Sequence, residues 1–250
     1  MTLDLEGRPG WQNMAIDQAM LDRAGRGERW LRLYRWAPYC LSFGRHEPAL
    51  RRYDRARIEA LGLDVVRRPT GGRAVWHAEE LTYAVAMPRD ALGGLREAYR
   101  EIHWMLLDAL RALGIFGELA PAREPVPVGA GACFASPAGG EIMVGGRKAV
   151  GSAQLREGAG LLQHGSLLLA GRQSLVHEVT RGDTAPDRSG PLADAAGGQP
   201  DPGRIASAIA AAASQRWGGE WTHREMARDL LDHAAAHEVR FRSLDWTWRA

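Results

Sequence analysis

A chain of 250 residues that is 45% hydrophobic and 25% charged, with a formal charge of +2, has the balance of an ordinary globular protein, and this excludes a strongly charged partner such as nucleic acid. No apolar run reaches the roughly 18 residues of a membrane span, and the opening M-T-L-D-L-E-G-R is not a basic-then-apolar leader. Two cysteines without such a leader point to a reducing, cytoplasmic setting rather than a disulfide scaffold.

In chain order, residues 13–24 predict a helix, with Asn13 as its cap, Ile16, Ala19, Met20 and Arg23 on one side, and Gly25 as its stop. Residues 31–36 and 40–43 predict strands separated by Pro38. A short helix over 54–61 closes at Gly62. A strand over 64–68 runs into P-T-G-G, another ends at His77, and a third covers 81–87. Residues 94–113 carry the clearest helical stripe: Leu95, Tyr99, Ile102, Leu106, Leu110 and Leu113, with Gly114 beyond. In E-I-M-V-G-G-R-K-A-V, Gly145-Gly146 predicts a tight hairpin turn, which places Lys148 near the start of the return strand. A strand follows over 160–169, and then a mobile loop over 181–203. Two helices close the chain, over 205–217 and 223–237, the second with a capping box of Thr222 and Glu225. The pattern is α+β, with a mixed or antiparallel sheet flanked by helices.

Codon-like bias marks one residue. Of the 32 basic residues, 31 are arginine, and Lys148 is the single lysine. An ammonium is a compact charge that can approach a reacting atom; a guanidinium is wide and planar. A lysine surviving under such bias points to a role that arginine cannot fill, against the plain alternative of a solvated hairpin lysine.

Three constellations can carry chemistry. In V-V-R-R-P-T-G-G-R-A-V-W-H, residues 65–77, Gly71 and Gly72 allow close approach of backbone N–H groups to a ligand. Arg68 and Arg73 can hold an anion there, and His77 ends the segment; an ordinary β-turn is the bland alternative. In G-G-R-K-A-V-G-S-A-Q, Lys148 precedes Gly151, Ser152 and Ala153, small residues that leave room for a substrate chain. The third is Cys133, in P-V-G-A-G-A-C-F-A-S-P, 15 residues before Lys148. A nearby cation can lower a thiol's pKa, whereas a small packed hydrophobe is the usual fate of a free cysteine. Cys40, among apolar strand residues, fits that usual fate. His164 and Gly165, in L-L-Q-H-G-S-L, suit either substrate orientation or a satisfied strand histidine. With no CxxC pair, no metal site is expected.

Taken together, N-M-A-I-D-Q-A-M-L, L-S-F-G-R-H, R-R-P-T-G-G-R-A-V-W-H with E-E-L-T-Y-A-V, and G-R-K-A-V-G-S-A-Q followed by L-L-Q-H-G-S-L resemble the lipoate–protein ligase and octanoyltransferase family. That family shares a catalytic fold with biotin protein ligase. The segment A-C-F-A-S-P resembles the cysteine loop of the LipM-type octanoyltransferases, although the A-G-G-E after Pro137 departs from that group's bulkier stretch. The resemblance implies one catalytic domain over residues 1–250, with a core over about 27–219, terminal helices over 222–238 and no accessory C-terminal domain. It implies transfer of octanoyl from acyl carrier protein, through a Cys133 thioester, to a lysine of a lipoyl carrier domain in lipoate biosynthesis. Lys148 would lower the thiol pKa and bind the acyl carbonyl. Arg68, Gly71, Gly72, Arg73, His77, Gly151, Ser152, Ala153, His164 and Gly165 would line the acyl and carrier-arm site. No cofactor is expected. The acceptors would be the glycine-cleavage H protein or dehydrogenase E2 domains, and the enzyme a monomer with no nucleic-acid or membrane partner. The alternatives are an ATP- and Mg-dependent lipoate–protein ligase, an amidotransferase between carrier domains, and a non-catalytic lipoyl-binding module.

Overall fold

The computed structural model of the chain describes residues 1–121, 140–183, 186–219, 221 and 225–250. Strand β1 (Thr2–Arg8) leads into α1 (Gly10–Ala24), then β2 (Trp30–Trp36) and β3 (Cys40–Phe43). Two short helices follow, α2 (Ala49–Arg52) and α3 (Arg55–Ala60), then β4 (Asp64–Arg67), β5 (Val75–His77) and β6 (Glu80–Pro88). Helix α4 (Leu95–Ala112) and β7 (Gly117–Leu119) precede β8 (Ile142–Val144), β9 (Arg147–Glu157) and β10 (Gly160–Leu168). The rest is helical: α5 (Ser174–Val179), α6 (Ala193–Ala196), α7 (Pro202–Trp217), α8 (Arg228–Arg242) and α9 (Leu244–Thr247).

The strands form a seven-stranded sheet in the order β1-β2-β6-β10-β9-β8-β7 and a three-stranded sheet in the order β4-β3-β5. The larger sheet is antiparallel except for the parallel β1–β2 pair, and the smaller pairs β3 with β4 in parallel, so the architecture is mixed α+β. Alternation along the strands sets its layers. Leu81, Tyr83, Val85 and Met87 of β6 pack with Ile102, Leu106 and Leu110 of α4 and Ile205 and Ile209 of α7. On the opposite face, Ala84 and Ala86 meet Met14, Ile16 and Met20 of α1, and Leu230, Ala234 and Phe241 of α8 join the same core. Each large side chain removed from water in these layers contributes about 1.5–3 kcal/mol.

Local signals place several elements well. Asp54 caps α3 by accepting from the Arg57 N–H. Gly145 and Gly146 both have positive φ, +57° and +73°, as a primed hairpin turn requires. Elsewhere tertiary structure overrides them. Asn13 does not cap α1, which begins at Gly10. It is buried, and its side chain donates to the Arg8 and Arg35 carbonyls and accepts from Arg32. Leu95 is exposed, because the first turn of α4 projects beyond the sheet. Part of the segment expected to be a mobile loop over 181–203 is packed: residues 189–192 are buried, Ser189 bridges to Lys148, and Leu192 bonds to the Leu168 carbonyl. Helix α8 starts at Arg228, so Glu225 precedes it, while Thr222 lies outside the described residues.

Candidate functional site

A cleft partly open to solvent lies where the α1-facing side of the larger sheet meets the smaller sheet. Gly151, Ser152 and Ala153 of β9 and His164 and Gly165 of β10 line it, opposite Arg68, Gly72 and His77. Eight of the ten substrate-site residues proposed from sequence thus share one cleft. Gly71 and Arg73 stand behind its wall, where their carbonyls accept from Arg68 at 3.1 and 2.8 Å. Tyr34, Trp36, Val75, Thr82 and Ser166 complete the lining; Val75, Thr82 and Ser166 lie within the quoted motifs without having been singled out, and Tyr34 and Trp36 lie outside them. Gly165 and Gly44 are sterically required. A Cβ on Gly165 would meet Ser152 Oγ at 2.5 Å and Tyr83 Cε1 at 2.7 Å, and one on Gly44 would meet the Gly72 carbonyl at 1.8 Å.

The double arginine of R-R-P-T-G-G braces the backbone. Arg68 donates to the Ser42 carbonyl and hydroxyl as well as to Gly71 and Arg73, and so it shapes the turn. Arg67 is fully buried and donates to the carbonyls of Gly44, Arg45 and Glu47 on one side and Trp246, Thr247 and Arg249 on the other. Burial pulls its pKa below the usual arginine range.

Three histidines brace the walls, each bonded to a hydroxyl, and His164 and His103 also to an oxygen acceptor. His164 joins Thr70 Oγ1 at 2.6 Å to Asp17 Oδ2 at 2.8 Å. Asp17 also holds Arg32 and the Tyr34 hydroxyl, whose pKa rises through burial and then through that carboxylate. His77 stacks on Trp36 and joins Ser42 Oγ at 2.6 Å to Glu80, 3.4 Å away; burial lowers its pKa. His103 of α4 joins Ser152 Oγ at 2.8 Å to the Gly140 carbonyl at 2.5 Å. A carbonyl can only accept, so Nδ1 carries the proton and Nε2 accepts from Ser152. Burial, aided by the Lys148 charge, pushes the His103 pKa down to about 4. Ser152 then accepts from Tyr83, and Tyr83 from Gln163, giving one directed chain of hydrogen bonds. Ser42 and Thr70 are fully buried and support the wall; Ser152 is half-buried and lines the cleft while its hydroxyl turns to His103 and Tyr83 on the α4 side.

Lys148 is 2% exposed, and its Nζ lies 2.5 Å from Glu141 Oε1. It is therefore no solvated hairpin lysine, and its carboxylate partner was not singled out in the sequence. Cys133 lies outside the described residues. Cys40 is buried, and burial raises its thiol pKa, so it behaves as a packed small hydrophobe.

The motif order, the two-sheet fold and this cleft define a class, and the chain belongs to it: residues 9–196 match the family model "Lipoyl protein ligase A/B catalytic domain". Among relatives, the chain is 34% identical over 257 aligned positions, 95% of this chain and 94% of the relative, to the octanoyltransferase LipM of Kyrpidia tusciae. It is 43% identical over 175 residues to the octanoyltransferase LipM of Symbiobacterium thermophilum, a match that covers 67% of this chain and 64% of that relative's length. The LipM of Carboxydothermus hydrogenoformans is matched over 61% of its length at 44% identity. The fold is that of a lipoate–protein ligase A solved with ATP (TM-score 0.82, 19% identity, 99% of this chain and 98% of that one). It is also that of the bi-partite lipoate protein ligase of Thermoplasma acidophilum (TM-score 0.80, 18% identity, 99% and 95%). No helix among the described residues is long and apolar enough to cross a membrane.

Proposed function

We propose that the chain is an octanoyl-[acyl-carrier-protein]:protein N-octanoyltransferase, which takes octanoyl from acyl carrier protein and delivers it to a lysine of a lipoyl carrier domain. The observation that carries this reading is the burial of the single lysine. A buried ammonium–carboxylate pair is rarely more stable than an apolar replacement, so its retention at Lys148 and Glu141, on the strand that goes on to line the cleft, points to chemistry. The LipM names of its relatives and the A-C-F-A-S-P segment support the transferase branch.

In this mechanism the Cys133 thiolate attacks the thioester carbonyl of the donor. The carrier-protein thiolate leaves and takes up the proton that Cys133 gave up on ionising, and the acyl group rests on Cys133 as a thioester. The acceptor lysine amine then attacks that carbonyl, forming an amide and releasing the thiol, a ping-pong sequence. Lys148 stabilises the oxygen on which charge develops. The glycine-floored cleft takes the unbranched chain, and no cofactor enters. The acceptors are H-protein or E2 lipoyl domains; the neighbouring Thermoplasma ligase was studied with its E2 lipoyl domain. The donor test separates this route from ATP-dependent ligation. Octanoyl–carrier protein without ATP should modify the acceptor and leave an octanoyl adduct on Cys133 by intact mass, whereas free acid with ATP should not. Both Cys133→Ala and Lys148→Arg should lower the rate at least about a hundredfold. Undiminished transfer by Cys133→Ala removes the thioester route.

A further inference from the structure

Away from the cleft, Asp22 in the last turn of α1 faces two histidines one turn apart on α8, His233 and His237. Both ring Nε2 atoms converge on one oxygen, Asp22 Oδ2, at 3.2 and 2.8 Å, and the three ligand atoms lie within 4.8 Å of one another. We propose that Asp22, His233 and His237 bind a divalent transition-metal ion of the zinc class, which fastens α8 to α1.

Six features support the site. Histidines at i and i+4 lie on one helical face, so the pair chelates without distorting α8. In a tetrahedral site with zinc about 2.0–2.1 Å from each ligand, ligand atoms stand about 3.3–3.4 Å apart, so small movements of these side chains admit the ion. Gln18 donates to the other carboxylate oxygen, Oδ1, at 3.2 Å and to Glu157 at 2.9 Å, which orients Oδ2 toward the histidines. The adjacent cation, Arg23, turns away to Asp229 and Glu28. The three side chains are 22–27% exposed, leaving an entry path and room for a water as fourth ligand. Two imidazoles and one carboxylate suit zinc rather than calcium or magnesium, which prefer oxygen donors throughout. The ion would act structurally, tying the first helix to one more than 200 residues later, and the inference does not depend on the acyl-transfer reading.

Chelator-treated full-length protein should take up one zinc ion per chain in a calorimetric titration with zinc chloride and melt at a higher temperature when loaded. Cobalt chloride should give the visible absorption of a tetrahedral nitrogen–oxygen site. Asp22→Asn should keep the metal-free melting temperature within a few degrees while weakening zinc more than about tenfold. His233→Gln with His237→Gln should abolish both the cobalt spectrum and the zinc-dependent rise in melting temperature. A wild-type protein whose melting temperature ignores zinc, or a double variant that titrates like wild type, overturns the site and leaves a purely hydrogen-bonded contact.

Discussion

His103 illustrates how one buried side chain couples the cleft to solution pH. Burial holds its folded pKa down at about 4, well below the 6.5 of an ordinary histidine. Between those values the unfolded chain binds a proton that the folded chain refuses, so stability falls as pH drops from 6.5 to 4 and is unaffected by this group above that window. The full span amounts to about 3 kcal/mol. Denaturant unfolding at several pH values should therefore show a shallower slope in His103→Gln than in wild type over this window; an unchanged slope would remove His103 as a source. His77, also lowered by burial, contributes in the same direction. At this scale the sequence was partly legible. Lys148 stood out through compositional bias, and the glycine motifs through their spacing. Glu141, Asp17 and His103 did not, because their roles come from partners brought together by the fold. Thr70 and His164, for example, are 94 positions apart. The zinc-class cluster escaped for the same reason: its histidines form an ordinary helical pair until α1 supplies Asp22.

Elements whose signals are local were read closely: β3, the glycine turn between β8 and β9, and the span of α4. Strand β1 was missed because its pairing is parallel, to a strand starting 22 residues after its own end. The packed segment over 189–192 was misjudged because glycine and proline mark turns without saying whether the turn is covered. The β9–β10 pair is the element on which the cleft most depends. Gly165 pairs with Ser152 across it. Gly165→Ala would drive a methyl into Ser152 Oγ and Tyr83, and should lower stability by about 1–3 kcal/mol. Octanoyl transfer should fall further than this loss explains when measured at a temperature where the variant is fully folded. Transfer at the wild-type rate would show that the Ser152 wall does not shape the acyl site.

At the scale of the whole molecule, Arg67 ties the smaller sheet to the C-terminal segment. Its guanidinium gathers carbonyls from residues 44–47 and 246–249, and the Trp246 indole returns a hydrogen bond to the Arg67 carbonyl. A lysine has three donors on a single nitrogen and cannot span both groups. Arg67→Lys should lower stability by about 2–4 kcal/mol and raise amide exchange in α9 before that in α4; uniform exchange across the two helices would contradict the anchoring role. This contact also orders events in time. The smaller sheet is encoded within the first third of the chain, yet half of the carbonyls that satisfy Arg67 lie about 180 residues downstream. During synthesis, the charge at the end of the edge strand β4 must stay hydrated until the final helix emerges, so this side of the smaller sheet is finished last.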